Sequence, residues 1–243
     1  MDIVKLNAIS STNVILKDYI KEKKAKHGTV ITAEYQTEGR GQMHTHWESE
    51  PSRNLLFSMF LVFDRFLIKD QFYLTCAVSL GIYQFLSDYN IEDLSVKWPN
   101  DIMAGDRKIA GILIENTLVQ EHIKNAIIGV GLNVNQLSFS GFVPNAVSMK
   151  NLLNTEFDRD ILLKELIGSI HSYLDKLTAG EYSYLKHTYE KVMYKKGKTI
   201  PFENLQNEVF NAKILGVSKQ GKLLLEEEGN HLKLYDFKEV KFL

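Results

Sequence analysis

Leu94-Ser95-Val96-Lys97-Trp98-Pro99-Asn100-Asp101 reads as a short strand that stops abruptly. Its first residues alternate apolar and polar, as a half-buried strand does. Pro99 carries no N–H and ends ladder pairing, and it pushes Trp98 towards an extended backbone. The spacing therefore predicts a strand end that presents a cation, an amide and a carboxylate side by side. A lysine beside Asn and Asp suits a phosphate with a bound divalent ion. The same residues would also make an ordinary surface strand end with an ion pair.

Further towards the N-terminus, Val30-Ile31-Thr32-Ala33-Glu34-Tyr35 predicts an apolar strand, with Gln36-Thr37-Glu38-Gly39-Arg40-Gly41-Gln42 as a turn behind it. The two glycines are expected to take φ > 0 and bring backbone N–H groups close to a ligand. Arg40 between them offers a charged fork for a phosphate or carboxylate. A flexible basic loop is the plainer alternative. Before this strand, Ser10-Ser11-Thr12-Asn13 precedes Val14-Ile15-Leu16 and Tyr19-Ile20, a helix start with hydroxyls and an amide at its N-terminus, ending near Lys23-Lys24. Those side chains fit a cap and fit a polar ligand equally well.

The remaining segments frame these two. Met43 to Arg53 has no periodicity and reads as a loop. Its His44-x-His46 pair has no further Cys or His beside it to complete a metal site. Asn54 to Phe63 is a nearly continuous apolar run, read as a buried strand. Lys69 to Tyr89 has apolar residues at helical spacing. Ile102 to Glu115 reads as a hairpin turning at Gly105, with Gly111 marking a close approach, and Ile123 to Asn135 as its partner strand. Gly129-x-Gly131 lacks the third glycine and the following helix of a dinucleotide-binding turn. Gln136 to Asn145 is a polar loop suited to closing over a site. Two helices fit Asp158 to Leu177 and Glu181 to Tyr194. From Lys195-Lys196-Gly197 onward only short strands and turns are visible, the pattern of a small β-barrel.

A chain of 243 residues accommodates one large domain, or a domain with a small appendage. The net charge of −1 supplies no field that would draw it to nucleic acid. The single cysteine, Cys76, excludes an intramolecular disulfide, points to a reducing cytoplasmic compartment, and sits in an apolar run as a buried thiol should. Met1-Asp2-Ile3-Val4-Lys5 is not the start of a signal peptide. No apolar run reaches the roughly 20 residues that span a bilayer.

Taken together in chain order, these pieces resemble the biotin protein ligases, also called biotin–[acetyl-CoA carboxylase] ligases. The resemblance rests on Ser11-Thr12-Asn13, Gln36 with Gly39-Arg40-Gly41, Trp47, Asn54-Leu55, Lys97 to Asp101, Lys108-x-Ala110-Gly111-Ile112-Leu113-x-Glu115 and Gly129-x-Gly131-x-Asn133-x-Asn135. It implies an α+β fold: a mixed β-sheet catalytic domain packed with helices over 1–194, of the class II synthetase-like kind, and an SH3-like β-barrel over 195–243. It implies ATP-dependent activation of biotin to biotinyl-5'-AMP, with Mg²⁺, and transfer of biotin to a lysine of a biotin carboxyl carrier protein. By resemblance Ser11, Thr12, Asn13, Gln36, Gly111, Ile112 and Leu113 hold biotin. Arg40, Gly41, Gln42, Trp47, Asn100 and Asn133 hold the nucleotide, Lys97 and Arg40 are catalytic, and Asp101 is the candidate magnesium ligand.

Two departures from the family pattern stand out. Gln42 and His44 occupy positions where many members carry a second arginine and a glycine. The catalytic pattern also begins within about ten residues of Met1, so the expectation is a ligase without the N-terminal helix-turn-helix of bifunctional members and without specific DNA binding. A homodimer is left open. Lipoate–protein ligases and octanoyltransferases share the catalytic fold and are the alternative, but the C-terminal β segment and Lys108 to Leu113 favour biotin.

Overall fold

The computed structural model describes residues 2–42, 45–140 and 145–243. Among them, seven strands form the main sheet: β1 (Asp2–Ile9), β2 (Thr29–Gln36), β3 (Leu55–Leu67), β4 (Leu94–Lys97), β5 (Asp101–Ala104), β6 (Arg107–Val119) and β7 (His122–Leu132). Their order is β1-β2-β3-β7-β6-β5-β4. β1 and β2 run parallel and the other neighbouring pairs are antiparallel, so the sheet is mixed, as expected.

Strand alternation gives the two faces of this sheet different work. Phe57, Met59, Ile128, Val130, Ala110 and Ile112 point into the main core. That face is covered by α2 (Gln71–Asp88), which is buried over most of its surface, including Cys76. α4 (Arg159–Thr178) and α5 (Tyr182–Lys191) complete the layer. Asp158 caps α4 through its side chain, accepting from the N–H groups of Asp160 and Ile161. The opposite face carries α1 (Thr12–Lys21), seated on a small cluster of Leu16, Ile31, Phe60 and Ile127. On this face β6 and β7 expose glycines, Gly111, Gly129 and Gly131, which leave room for something else.

A second, antiparallel sheet has the order β11-β10-β9-β8-β12, built from β8 (Thr199–Asn204), β9 (Val209–Val217), β10 (Leu223–Glu227), β11 (His231–Tyr235) and β12 (Val240–Phe242). Its buried residues Phe202, Ile214, Leu223 and Leu225 belong to the same continuous core as α2 and the main sheet. Sequence patterning did not reveal β1, β8, β12 or the short α3 (Met149–Leu153). β1 is an edge strand with mostly accessible side chains, and β12 has three residues, so neither carries a strong periodic signal. No helix among the described residues is long and apolar enough to cross a membrane.

Candidate active site

The α1 face of the main sheet and the edge of the second sheet enclose a cavity of about 840 Å³. That is large enough for a ligand of cofactor size. At one end the floor is polar and neutral. Ser11, Thr12, Asn13 and Gln36 line it, all of them buried. Ser11 is the N-cap of α1 by backbone geometry, yet its side chain makes no capping bond, so its hydroxyl is left for the cavity. Gln36, the last residue of β2, accepts from the Thr12 N–H at 2.7 Å and so ties the start of α1 to the strand. Leu113, paired with the Gly129 that abuts Asn13, borders the same end, Gly111 lies further along beneath Trp47 and Lys108, and Ile112 faces the main core, so it can offer a ligand only backbone.

The other end is cationic. Arg40, Lys97 and Lys108 all line it. Lys97 is placed by the end of β4, as the Pro99 stop predicts. Its ammonium lies 5.0 Å from the Phe242 ring and 5.9 Å from the Tyr194 ring. Burial pulls its pKa below the usual lysine value, and the nearby Asp101 carboxylate opposes that shift. In the sequence Lys108 belongs to the motif that carries the resemblance but has no role assigned in the site. Its ammonium pairs with Asp101 at 2.6 Å, lies 5.3 Å above the Trp47 ring and abuts Gly111. Its signal was the register of β5 and β6, which sets Lys108 beside the strand that begins at Asp101.

Trp47 forms a lid on the glycine surface. A Cβ on Gly131 would lie 2.3 Å from Trp47 Cε2, and one on Gly111 2.8 Å from Cζ3. Its indole N–H is buried with no hydrogen-bond partner among the described residues. Gly39 and Gly41 do not take the positive φ expected of them. They are required by close contact instead. A Cβ on Gly39 would stand 2.3 Å from the Trp47 carbonyl oxygen, and one on Gly41 2.4 Å from Thr45 Oγ1. The turn is pinned by Gly41 N–H to Thr45 O at 2.7 Å and a bridge between Arg40 and His46. Gln42 lines the cavity from this turn. Met43 and His44 lie outside the described residues, and with them the His44-x-His46 pair.

The two asparagines expected at the nucleotide are placed differently. Asn133 does not line the cavity; it is buried behind the sheet, and its amide donates to the Val147 carbonyl at 3.1 Å. Alternation would have put Asn133 on the face of Gly131, but β7 ends at Leu132 and the chain beyond it is held by bonds to Ile109, Val147 and Met149 instead. Asn100 does line the cavity, but its amide N–H₂ donates to the Ile112 carbonyl at 2.6 Å, bracing the β5–β6 floor. The loop from Gln136 was expected to close over the site. Its described beginning is held elsewhere, with Gln136 accepting from Asn54 at 2.7 Å, and 141–144 lie outside the described residues. Among the described residues no three His, Cys, Asp or Glu side chains are grouped to hold a metal. Asp101 offers one carboxylate, already paired with Lys108. This suits a divalent ion that arrives on phosphates and keeps its waters, not a protein cage.

The second sheet supplies the far wall, including Glu203, Asn204, Lys238, Lys241 and Phe242. Trp98 locks the two sheets together. It is 4% exposed, donates its indole N–H to the Gly221 carbonyl at 2.8 Å and packs edge-on against Phe237.

The sequence pattern of the biotin/lipoate A/B protein ligase family matches residues 6–133, more than half of the chain. The chain belongs to this family. Among its relatives is the bifunctional ligase/repressor BirA of Bacillus spizizenii, 30% identical over 233 residues, which cover 94% of this chain and 70% of that protein. The biotin–[acetyl-CoA-carboxylase] ligase of Mycobacterium tuberculosis is 28% identical over 148 residues, 60% of this chain and 53% of that protein. The biotin protein ligase of Aquifex aeolicus, solved in complex with biotin and ATP, superposes with a TM-score of 0.82 over 100% of this chain and 98% of that one. At 24% identity that likeness speaks for the fold, including the second sheet, which lies beyond the family match.

Proposed function

We propose that this family member is a biotin–protein ligase that activates biotin with ATP and passes it to a carrier-protein lysine. One observation carries the reading: a single cavity is lined both by the buried neutral hydroxyls and amides of Ser11, Thr12, Asn13 and Gln36 and by cations that include Arg40, Lys97 and Lys108. Biotin has that polarity, with an uncharged cyclic urea at one end and a carboxylate at the other. Its carboxylate oxygen attacks the α-phosphorus of ATP, the bond to the leaving oxygen breaks, and pyrophosphate departs. Two anions must meet for this step. Lys108, Lys97 and Arg40 offset their repulsion and the charge that grows on the phosphorus oxygens. Trp47 covers the reacting end and excludes water from the mixed anhydride. The carrier lysine then attacks the biotinyl carbonyl carbon and AMP leaves. Asp101 would give one ligand to a magnesium ion carried by the nucleotide, which would draw charge from its phosphates.

The lipoate alternative fits the floor poorly. A dithiolane would leave the Ser11 hydroxyl and the Gln36 N–H₂ desolvated without a ligand partner, which is costly. Mass spectrometry after incubation with ATP, Mg²⁺ and either biotin or lipoate decides between them. The expected product is biotinyl-5'-AMP with pyrophosphate, and biotinylated lysine once a biotin carboxyl carrier domain is added. Lipoyl-AMP without biotinyl-AMP would overturn the reading. Such a ligase would work where acetyl-CoA carboxylase is made, in the reducing cytoplasm that a lone buried thiol suits.

A further inference from the structure

The polar floor continues behind the cavity wall into a chain of buried groups. Ser58 on β3 is fully buried and lies beneath Thr12 and Asn13. Asn13 donates through Nδ2 to Glu115 Oε2 on β6 at 2.7 Å, and Lys17 pairs with the other oxygen of Glu115 at 2.6 Å. Asn13 fits only because Gly129 has no side chain; a Cβ there would lie 2.4 Å from its Oδ1. Neither Ser58 nor Glu115 lines the cavity.

Counting protons fixes the direction of this chain. A carboxylate only accepts. Asn13 therefore turns its N–H₂ to Glu115 and its Oδ1 towards Ser58. Ser58 Oγ lies 2.5 Å from Asn13 Oδ1 and 2.7 Å from Thr12 Oγ1. Its one hydrogen goes to Asn13, because Oδ1 has none to give. The Thr12–Ser58 contact then needs the hydrogen of Thr12. Gln36 does not compete well for it, since its Oε1 already accepts the Thr12 N–H at 2.7 Å and lies 3.1 Å from the hydroxyl. Thr12 is left with lone pairs alone for the ligand.

We infer that Glu115, held by Lys17, sets the polarity of the Asn13–Ser58–Thr12 relay, so that Thr12 accepts a hydrogen bond from an N–H of the substrate's head group. This rests on the biotin reading, because a cyclic urea brings N–H donors and a dithiolane brings none. Glu115 is a positioning residue that selects the substrate without touching it. Neither Ser58 nor Glu115 touches the cavity, and Arg40, Lys97 and Lys108 take no part in the relay, so it acts on biotin binding and leaves the transfer of the adenylyl group alone.

The test measures adenylate formation by wild type, Glu115→Gln, Ser58→Ala and the double variant. Glutamine keeps the shape but can donate to Asn13 Oδ1, turning that amide and reversing the relay. The expected result is about a tenfold rise in KM for biotin in each single variant, the size of one lost hydrogen bond, with kcat and KM for ATP within about twofold. The double variant should be no worse than the worse single one, because both cut the same chain. Ser58→Ala removes one oxygen atom from a buried site and stands in if Glu115→Gln fails to fold. An unchanged KM for biotin in the folded variants overturns the relay, as does a loss that falls on kcat or ATP, or one that adds in the double variant. A wild-type protein that forms no biotinyl-adenylate refutes the functional reading instead, before any variant is compared.

Discussion

Replacing Gly131 by alanine places one methyl group against the Trp47 ring. The new Cβ would stand 2.3, 2.6 and 2.8 Å from Cε2, Cζ2 and Cδ2. Carbon atoms rest at about 3.5–4.0 Å, so the ring must retreat by roughly 1 Å or more. It is not free to do so. The Trp47 backbone N–H is bonded to the Gly39 carbonyl at 2.9 Å, and the Lys108 ammonium lies over the ring. The backbone of Gly131 is in ordinary φ space, so the penalty is steric alone. Forcing a methyl into a filled space costs about 1–3 kcal/mol, or about 2–12 °C in Tm for a chain of this size. The ring lines the cavity, so its displacement should raise KM for biotin more than tenfold. Fluorescence gives a direct readout, since the chain has two tryptophans and Trp98 is shielded in the core. The emission change on adding biotin should come from Trp47 and shrink in the variant. A Gly131→Ala protein with wild-type Tm and KM would refute the seating of Trp47 on this glycine.

Three further outcomes are expected. Lys108→Met should lower the rate of pyrophosphate release by about 10²–10³, the loss typical of one charge-stabilising donor, whereas Lys97→Met should lower it less, because that ammonium is turned towards Phe242 and Tyr194; equal losses would sink the distinction. Burial lowers the pKa of Lys97 from 10.5, so the alkaline limb of kcat/KM for ATP should begin below that value and change in Lys97→Met; in the same window the unfolded chain holds the extra proton, so this group adds stability as pH rises. Gly168→Ala, on the exposed side of α4 with no atom within 4 Å of the new Cβ, should add up to about 1 kcal/mol by helix propensity and leave activity unchanged, as a thermal melt would show.

The parts of this molecule legible in its sequence are those where one residue type has one reason to be present. Pro99 ends β4, Asp158 caps α4 and Gly105 turns the hairpin at φ +59°, each foreseen from chemistry local to the chain. The hydroxyls and amides of the cavity floor were also visible, because Ser11, Thr12 and Gln36 stand next to clear element boundaries. Lys108 was obscured because its importance comes from pairing across a strand, to Asp101, and not from its sequence neighbours. Ser58 and Glu115 were hidden in the same way, each an ordinary alternating residue until α1 is laid over the sheet. Gly39 and Gly41 were read as conformational glycines, whereas contacts with Trp47 and Thr45 explain them. Asn133 misled because a residue one step past the end of a strand can face either way.

The joint at Trp98 changes what the C-terminal barrel is. A Cβ on Gly221 would collide with the Phe72 ring at 2.4 Å, the Glu190 carboxylate of α5 accepts from the Val217 N–H at 3.0 Å, and the indole of Trp98 is bonded to the barrel backbone. The barrel is thus a keystone, wedged so that the turn carrying Lys97, Asn100 and Asp101 is braced from outside the sheet that makes it. A force or a binding partner applied to the barrel reaches the cation-bearing end of the cavity through the Trp98 indole and through Phe242, which faces the Lys97 ammonium. Chimeras that exchange barrels between relatives will succeed or fail on whether the incoming barrel brings a glycine opposite Phe72 and a carbonyl opposite Trp98, whatever the rest of its surface looks like.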